Sequence, residues 1–347
     1  MLEPLPQHDG PAVLAPGALA VPTAELVLAP GADRDTWLAA RTLGIGGSDA
    51  AALLGRSPYR TAAGVFLDKL GRGRQLEDTE LMFWGRALED AIADTWSAAT
   101  GVPTWKTGTY AHRERPWQRA NPDRLCPHGG VEIKTADRAQ RHHWDRELTP
   151  LGVPFHYLCQ VQHYMAVTGL PMFWVVCLIG GNHLVVRKID ADPDDMAALT
   201  GLEYRFWHEH VLTGRPPLVT ARDAENMTPL YPRPDPDSII ELPADIVAKV
   251  KRHKEVKAAL AALEGECTAL EVAIKTALGN KVVGTEDGTP IVSWKSTKRL
   301  SGDGTPVRTL RNTYGREPRH GRDRGRRRPA RPAAGAGAGR AAGADAG

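Results

Sequence analysis

Three charged side chains, Asp123, Glu132 and Lys134, fall within twelve residues of the stretch "ANPDRLCPHGGVEIKTA" (120–136). The stretch otherwise reads as strand, turn, strand. Side chains alternate faces along a strand, so Glu132 and Lys134 share one face while Ile133 points to the other. Val131 and Ile133 can bury, whereas the charged pair must look into a cleft or into solvent. The short "CPHGG" connection makes a hairpin, which brings Asp123 from the end of the preceding strand beside Glu132. Two carboxylates at close range repel, and a hard cation between them removes the penalty. Such a pair suits Mg²⁺ or Mn²⁺; zinc prefers Cys and His. A lysine on the same face can hold or deprotonate a metal-bound water. Together these groups could hydrolyse a phosphodiester: a Lewis acid, a water of lowered pKa, and a cation near the developing charge. The plainer reading is a surface hairpin whose Glu132 and Lys134 form a weak exposed ion pair.

The surrounding sequence has to position these groups. Residues 1–24 are rich in Pro, Ala and Gly and read as a flexible arm. Helical spacing follows at about 34–42. In "GIGGSDAAALLG", Ser48 or Asp49 can cap a short helix. A helix over 61–71 ends at Gly71. Over 79–100, Leu81, Trp84, Leu88, Ile92 and Trp96 recur every three or four residues, and Gly101 stops the run. Strands are predicted at about 104–112, 117–125 and 130–135. A helix at 155–168, strands at 172–180 and 183–190, and a helix from about 193 to 213 follow. That order predicts an α/β fold with a mixed sheet flanked by helices, over residues 25–218.

Beyond a linker at 219–243, with "YPRPDPDS" at its centre, Leu260, Leu263, Cys267, Leu270, Ile274 and Leu278 alternate three and four apart. This pattern predicts a long helix over 244–278 with a coiled-coil-like seam. "KVVGTEDGTPIVSWK" reads as a hairpin turning at Asp287-Gly288, so 244–300 forms a helix-plus-hairpin extension. Residues 301–347, rich in Arg, Gly, Ala and Pro, read as a disordered basic tail.

Composition sets outer limits. The chain has 347 residues, 42% hydrophobic and 24% charged, enough for a sizeable core. Its longest apolar run, "MFWVVCLIGG" (172–181), has the length of a strand and falls short of a membrane span. The N-terminus has neither a basic n-region nor an apolar h-region. The four cysteines lack CxxC spacing, so reduced thiols in a cytoplasm are the expectation. Of the net charge of +3, the ten arginines from Arg311 onward against three acidic residues supply +7, leaving −4 on residues 1–310. Nucleic-acid binding by the body therefore needs a local basic patch.

The residues quoted so far resemble a known family. "NPDRL…VEIKTA" is similar to the PD-(D/E)XK nuclease motif, with Pro122-Asp123 as its first half and Glu132-Ile133-Lys134 as its second. More narrowly, the sequence resembles the YqaJ-type viral recombinases, relatives of the lambda-type exonuclease. The supporting segments come in family order: "WLAARTLGIGGSDAAALLGRSPY" with Arg41 and Ser48, "FWGRALEDAIADTWSAATG" with Glu89, "YLCQVQHYMAVTG" with Gln160 and Tyr164, and "VVCLIGGNHLVVRKID". The resemblance covers roughly residues 30–215. It implies a PD-(D/E)XK, restriction-endonuclease-like core with a C-terminal helical extension.

It also implies roles. Asp123 and Glu132 ligate a catalytic Mg²⁺ (Mn²⁺ as the alternative), with the Ile133 carbonyl as a further ligand. Lys134 positions the attacking water. Glu89 adds an acidic group toward a second metal or its water, and Gln160 orients the site from behind. Arg41 and Ser48 hold a terminal 5′-phosphate. Asn121, where the family has a small hydroxyl residue, and Arg124, after the aspartate, depart from the pattern without removing a ligand. The implied function is a 5′-to-3′ exonuclease on duplex DNA ends that leaves 3′ overhangs for phage-type recombination. Implied with it are a single-strand-annealing partner, a ring-shaped homo-oligomer, and a phage or prophage protein in a bacterial cytoplasm. The alternatives are a structure-specific or restriction-type endonuclease on the same core, and a non-catalytic DNA-binding module.

Two other motifs do not carry the chemistry they first suggest, although the Gly-flexed turn that opens a helix at Ser48, with its free N–H groups and hydroxyl, favours an anion. "GIGGSDAA" has Asp49 where a dinucleotide loop needs its last glycine, and no GK[ST] follows. His142-His143 lacks a metal partner at helical spacing and reads as surface.

Overall fold

Residues 129–179 build the centre of the fold as strand, helix and parallel strand. The computed structural model describes residues 21–73, 78–233, 236–300 and 306–314. The chain divides into two compact units at Pro236. In chain order the first contains β1 (Ala24–Leu28), α1 (Arg34–Thr42), β2 (Ile45–Gly46), α2 (Gly47–Leu53), α3 (Ala62–Lys69), α4 (Glu80–Thr100), β3 (Trp105–Lys106), β4 (Thr109–His112), β5 (Gln118–Ala120), β6 (Arg124–Cys126) and β7 (Gly129–Ala136). There follow α5 (Phe155–Thr168), β8 (Met172–Ile179), β9 (His183–Asp190), α6 (Pro193–Arg205), a π-helical turn over Phe206–Val211, and α7 (Met227–Leu230). Among the described residues no helix is long and apolar enough to cross a membrane.

The strands form a mixed five-stranded sheet, β3-β6-β7-β8-β9, and a four-stranded sheet, β1-β4-β5-β2. In the larger sheet β7 and β8 run parallel, joined through α5, and the other pairs are antiparallel. Helices cover both of its faces. Ile92, Ala93 and Trp96 of α4 pack with Val131, Ile133, Trp174 and Val176 on one side. Val161, Tyr164 and Met165 of α5 pack with Leu125, Phe173, Val175 and Cys177 on the other. Thr79 caps α4 by accepting from the Met82 N–H, and Gly101 ends it at φ 70°.

Two strands read as continuous in the sequence are each broken and shared between the sheets. The 104–112 run divides into β3 and β4 at Gly108, whose backbone lies so close to the Leu28 carbonyl that a Cβ would come within 1.9 Å of it. The 117–125 run divides into β5 and β6 at residues 121–123. Pro122 has no N–H for a ladder and pushes Asn121 into extended backbone, so the chain leaves one sheet and enters the other. Asp123 therefore stands on the bend before β6, not at the end of a strand. The arm expected over 1–24 lies mostly outside the described residues, and Ala24 is buried in β1.

The second unit contains α8 (Ala244–Leu278), β10 (Val283–Glu286), β11 (Thr289–Leu300) and β12 (Pro306–Asn312), with sheet order β10-β11-β12. Asp287 and Gly288, at φ 47° and 77°, make the hairpin turn between β10 and β11. The strand β12 corrects the expectation of disorder from residue 301. Its residues pair antiparallel with β11, and the Arg308 guanidinium sits 3.6 Å from the centre of the Trp294 ring while donating to the Gly279, Lys281 and Trp294 carbonyls. An arginine that bridges strands by its fork and stacks by its plane is hidden in a low-complexity composition. The tail beyond Tyr314 lies outside the described residues.

Candidate active site

The hairpin of β6 and β7 pairs Arg124 with Val131, so Asp123 leaves the ladder beside Glu132. Its Oδ2 accepts the Ile133 N–H at 2.7 Å, which fixes the carboxylate on the bend. Ile133 turns its side chain to the α4 face, and Glu132 and Lys134 turn theirs to the α5 side. Glu132 is 1% exposed. Burial, and then the neighbouring Glu132 charge, raise the Asp123 carboxyl well above the ordinary range. Burial likewise raises Glu132, against the opposing pull of Lys134. Burial works against the Lys134 ammonium, but the Glu132 and Asp123 carboxylates outweigh it and keep the lysine cationic.

Glu132 is held on one oxygen only. Its Oε1 accepts from Lys134 Nζ and, at 2.6 Å, from Gln160 Nε2 on α5. Gln160 Nε2 also donates to the Tyr164 hydroxyl at 2.9 Å, and that hydroxyl donates to the Asn121 carbonyl at 3.1 Å. Oε2 of Glu132 is buried without a hydrogen-bond partner. An ionised carboxylate oxygen in that position is costly unless a cation faces it. Lys134 Nζ lies 4.8 Å from the centre of the Tyr157 ring. Behind it, burial and then the Lys134 charge push the His156 imidazole down to about 4, so that ring is neutral near pH 7.

Helices α1 and α2 form the opposite wall. Arg41 in the last turn of α1 lies 4.7 Å from the Trp37 ring centre and donates to the Ser48 hydroxyl at 3.2 Å. Ser48 does not cap α2. Asp49 does so instead, its Oδ2 accepting the Gly46 N–H at 3.0 Å. The Asp49 carboxylate also pairs with Lys69 at 2.7 Å and Arg60 at 2.9 Å. Burial alone would raise that carboxyl; Lys69, Arg60 and Arg41 outweigh it and hold it well below the usual range. Lys69 Nζ in turn donates to the Arg41 carbonyl at 2.9 Å, fixing the end of α1. Gly47 lets α2 approach α5: a Cβ there would meet Tyr164 at 2.6 Å and Gln160 at 2.9 Å.

These walls enclose one cavity of about 220 Å³, lined by Arg41, Ser48, Asp123, Glu132, Lys134 and Gln160 together with Trp37, Lys69, Asn121, Arg119 and Tyr164. The structure thus gathers six of the side chains nominated from the sequence. Glu89 is the exception. Its Oε1 accepts from Arg124 Nη1 at 2.5 Å, and the same guanidinium reaches Asp90 and the Asp123 carbonyl. The buried Arg124 ties α4 to β6, and Glu89 acts on Asp123 and Glu132 through its charge. Among the described residues, no three His, Cys, Asp or Glu side chains converge as a ready metal-ligand set. Two carboxylates do converge, and the unpartnered Glu132 oxygen beside Asp123 fits one hard, oxygen-seeking divalent cation.

The sequence profile of the YqaJ-like viral recombinase domain matches residues 36–171. The uncharacterized protein YqaJ of Bacillus subtilis (strain 168) is 30% identical over 251 residues, which span 70% of this chain and 77% of that protein. The chain belongs to the YqaJ-like viral recombinase domain family. Among solved structures it is similar to an alkaline exonuclease (LHK-Exo) from Laribacter hongkongensis, with 21% identity and a TM-score of 0.46 over 52% of this chain and 94% of that one. It is also similar to a phage-related exonuclease from Haemophilus somnus 129PT, with 13% identity and a TM-score of 0.38 over 50% and 96% of the two chains.

The YqaJ-like stretch contains every residue nominated from the sequence, from Arg41 to Gln160. It also contains two cations that no local pattern singles out. Lys69 sits in an ordinary helical run, and Arg119 lies between the β-strand residues Gln118 and Ala120. Arg119 donates to the Ala40 carbonyl at 3.2 Å, and its buried Nε has no partner. Only the packing of α3 and β5 against α1 brings these two into the cavity wall.

Proposed function

We propose that this YqaJ-like chain is a divalent-metal-dependent deoxyribonuclease, using Mg²⁺ or Mn²⁺, that degrades one strand of duplex DNA from a 5′ end. The observation that carries this reading is the buried, unpartnered Glu132 Oε2 beside Asp123 in a cavity whose other wall is cationic. Asp123 and Glu132, with the Ile133 carbonyl, would hold the metal, which when bound supplies a Lewis acid and a water of lowered pKa. Gln160 and Lys134 saturate one Glu132 oxygen and so aim the other. Lys134, being cationic, donates to the attacking oxygen or to the charge that builds on the phosphorus-bound oxygens. Arg41 presents its fork to a terminal phosphate, with the Ser48 hydroxyl beside it. Glu89 adds negative charge that favours a cation nearby. The resulting 3′ overhang is a substrate for a single-strand-annealing protein, which makes such a protein the natural partner in recombination.

The test is digestion of linear duplexes with and without 5′-phosphate, alongside closed circular DNA, in Mg²⁺, in Mn²⁺ and in EDTA, with the products sized. The expected result is metal-dependent shortening of linear DNA, faster on phosphorylated ends, with circles intact. Cleavage of circles at the same rate would replace this reading with an endonuclease. No cleavage in either metal would replace it with a DNA-binding module.

A further inference from the structure

The seam read from the sequence on α8 faces outward. Val256, Leu260, Leu263 and Leu270 are 48%, 49%, 62% and 56% exposed, and Cys267 between them is exposed too. Four large apolar side chains in heptad register along one helix leave a strip that water solvates poorly. In that register Leu260, Cys267 and Ile274 take the first core position, and Val256, Leu263 and Leu270 the second.

Charge says what covers the strip. Residues 245–257 carry five Lys and Arg against Asp245 and Glu255, a net of +3; residues 258–278 carry three Glu against Lys275, a net of −2. Three ion pairs run within the helix, Lys249–Asp245, Arg252–Glu255 and Lys275–Glu271. Lys257 and Glu264, which flank the seam, form none among the described residues.

We propose that α8 pairs antiparallel with α8 of a second copy of this chain. Full overlap of the two helices opposes Leu260 to Leu263 of the other copy and Cys267 to Val256. The same register sets Lys257 of each copy against Glu264 of the other, two opposite-charge contacts on one edge related by the two-fold axis. A parallel pair would instead oppose Arg252 to Lys257 and Glu266 to Glu271, two like-charge contacts on each edge. The antiparallel pair also places the positive half of each helix along the negative half of the other. Lys249 and His253 fall on the seam opposite Ile274 and Leu270, where the lysine stem can lie along apolar surface. Val247 and Val272 lie off the seam, and the pairing does not explain them. This inference does not depend on the nuclease reading.

Cysteine cross-linking of the full chain tests it. In the antiparallel pair the two Cys267 residues are eleven positions apart along the axis, about 16 Å, beyond disulfide reach. Cys126, Cys159 and Cys177 are buried. Mild oxidation should therefore leave the wild type as single chains on a non-reducing gel. Val256→Cys should convert most of the chain to a linked dimer, and adding Cys267→Ser should abolish the link. Light scattering should give an even number of copies, with the mass halved by Leu260→Asp/Leu263→Asp. Cross-linking of the wild type through Cys267 would mean a parallel pair and overturn the proposal. So would a mass unchanged by the double aspartate variant together with no link in Val256→Cys, the result if the seam packs within its own chain.

Discussion

Gln160 Nε2 donates to Glu132 Oε1 at 2.6 Å, from α5 to the neighbouring strand β7. The same carboxylate leaves its second oxygen unpartnered and buried. One oxygen is thus used for orientation and the other is kept for a ligand. Gln160→Ala should keep the fold and lower both metal affinity and turnover by roughly 10- to 100-fold, the usual cost of losing a group that orients a metal ligand. Calorimetric titration with Mn²⁺ alongside steady-state digestion measures both. An unchanged metal Kd would make Gln160 a packing residue.

Asp123→Asn should lower digestion by at least about 10²-fold while making the metal-free protein more stable at neutral pH. The sign follows from the raised carboxyl. Stability from such a group is present below the ordinary carboxylate range and is lost as pH rises through the raised value. Thermal melting of both proteins in EDTA should therefore show an advantage of the variant that grows from pH 4 upward. Added Mn²⁺ should reverse the order, since only the wild type keeps both ligands. Equal Mn²⁺ stabilisation of both would move the metal elsewhere.

Arg41→Ala removes a charge-assisted contact from the cationic wall, worth about 1.5–3 kcal/mol, or roughly 10- to 100-fold in kcat/KM on 5′-phosphorylated ends. Ends bearing a 5′-hydroxyl should lose much less. Equal losses on the two substrates would leave Arg41 as the residue that holds the end of α1 and nothing more.

The position of Arg119 rests on a buried ion pair. His163 Nδ1 and Glu203 Oε1 are 2.7 Å apart, and His163 Nε2 lies 2.9 Å from the Arg119 carbonyl oxygen. Burial opposes the imidazolium, but the Glu203 carboxylate outweighs it and raises the His163 pKa. The stability this pair adds is full below the ordinary histidine value of about 6.5 and fades as pH rises through the raised value. His163→Gln should therefore lower Tm most near pH 6 and least in alkali. A loss of Tm that does not vary with pH would mean that the pair is held neutral.

Much of this arrangement was legible in the sequence because local periodicity is a local property. Leu88, Ile92 and Trp96 at helical spacing do turn to the sheet, and strand alternation assigns Glu132 and Lys134 to the face opposite Ile133. The same helical spacing misleads at Leu81 and Trp84, which are 83% and 52% exposed. Sheet membership was harder to read. The strand pattern of 117–125 continues through Pro122 although the chain there passes between two sheets. Arg124 looked like a tolerable intrusion after the aspartate, and its link to Glu89 depends on α4 lying against β6. Lys69, Arg119 and Arg308 have no neighbouring pattern at all, because their partners are contributed by other elements.

The cavity that joins the cationic wall to the carboxylates has a size as well as a lining. At about 220 Å³ it is a small cleft whose lining runs from Arg41 and Ser48 to Asp123 and Glu132. On the proposed reading the enclosure is a gauge: the end is gripped at one wall and the bond that lies within reach of the other is the nearest one. Step size is then set by the walls, through Gly47 and the bend at Pro122, rather than by the base sequence of the DNA.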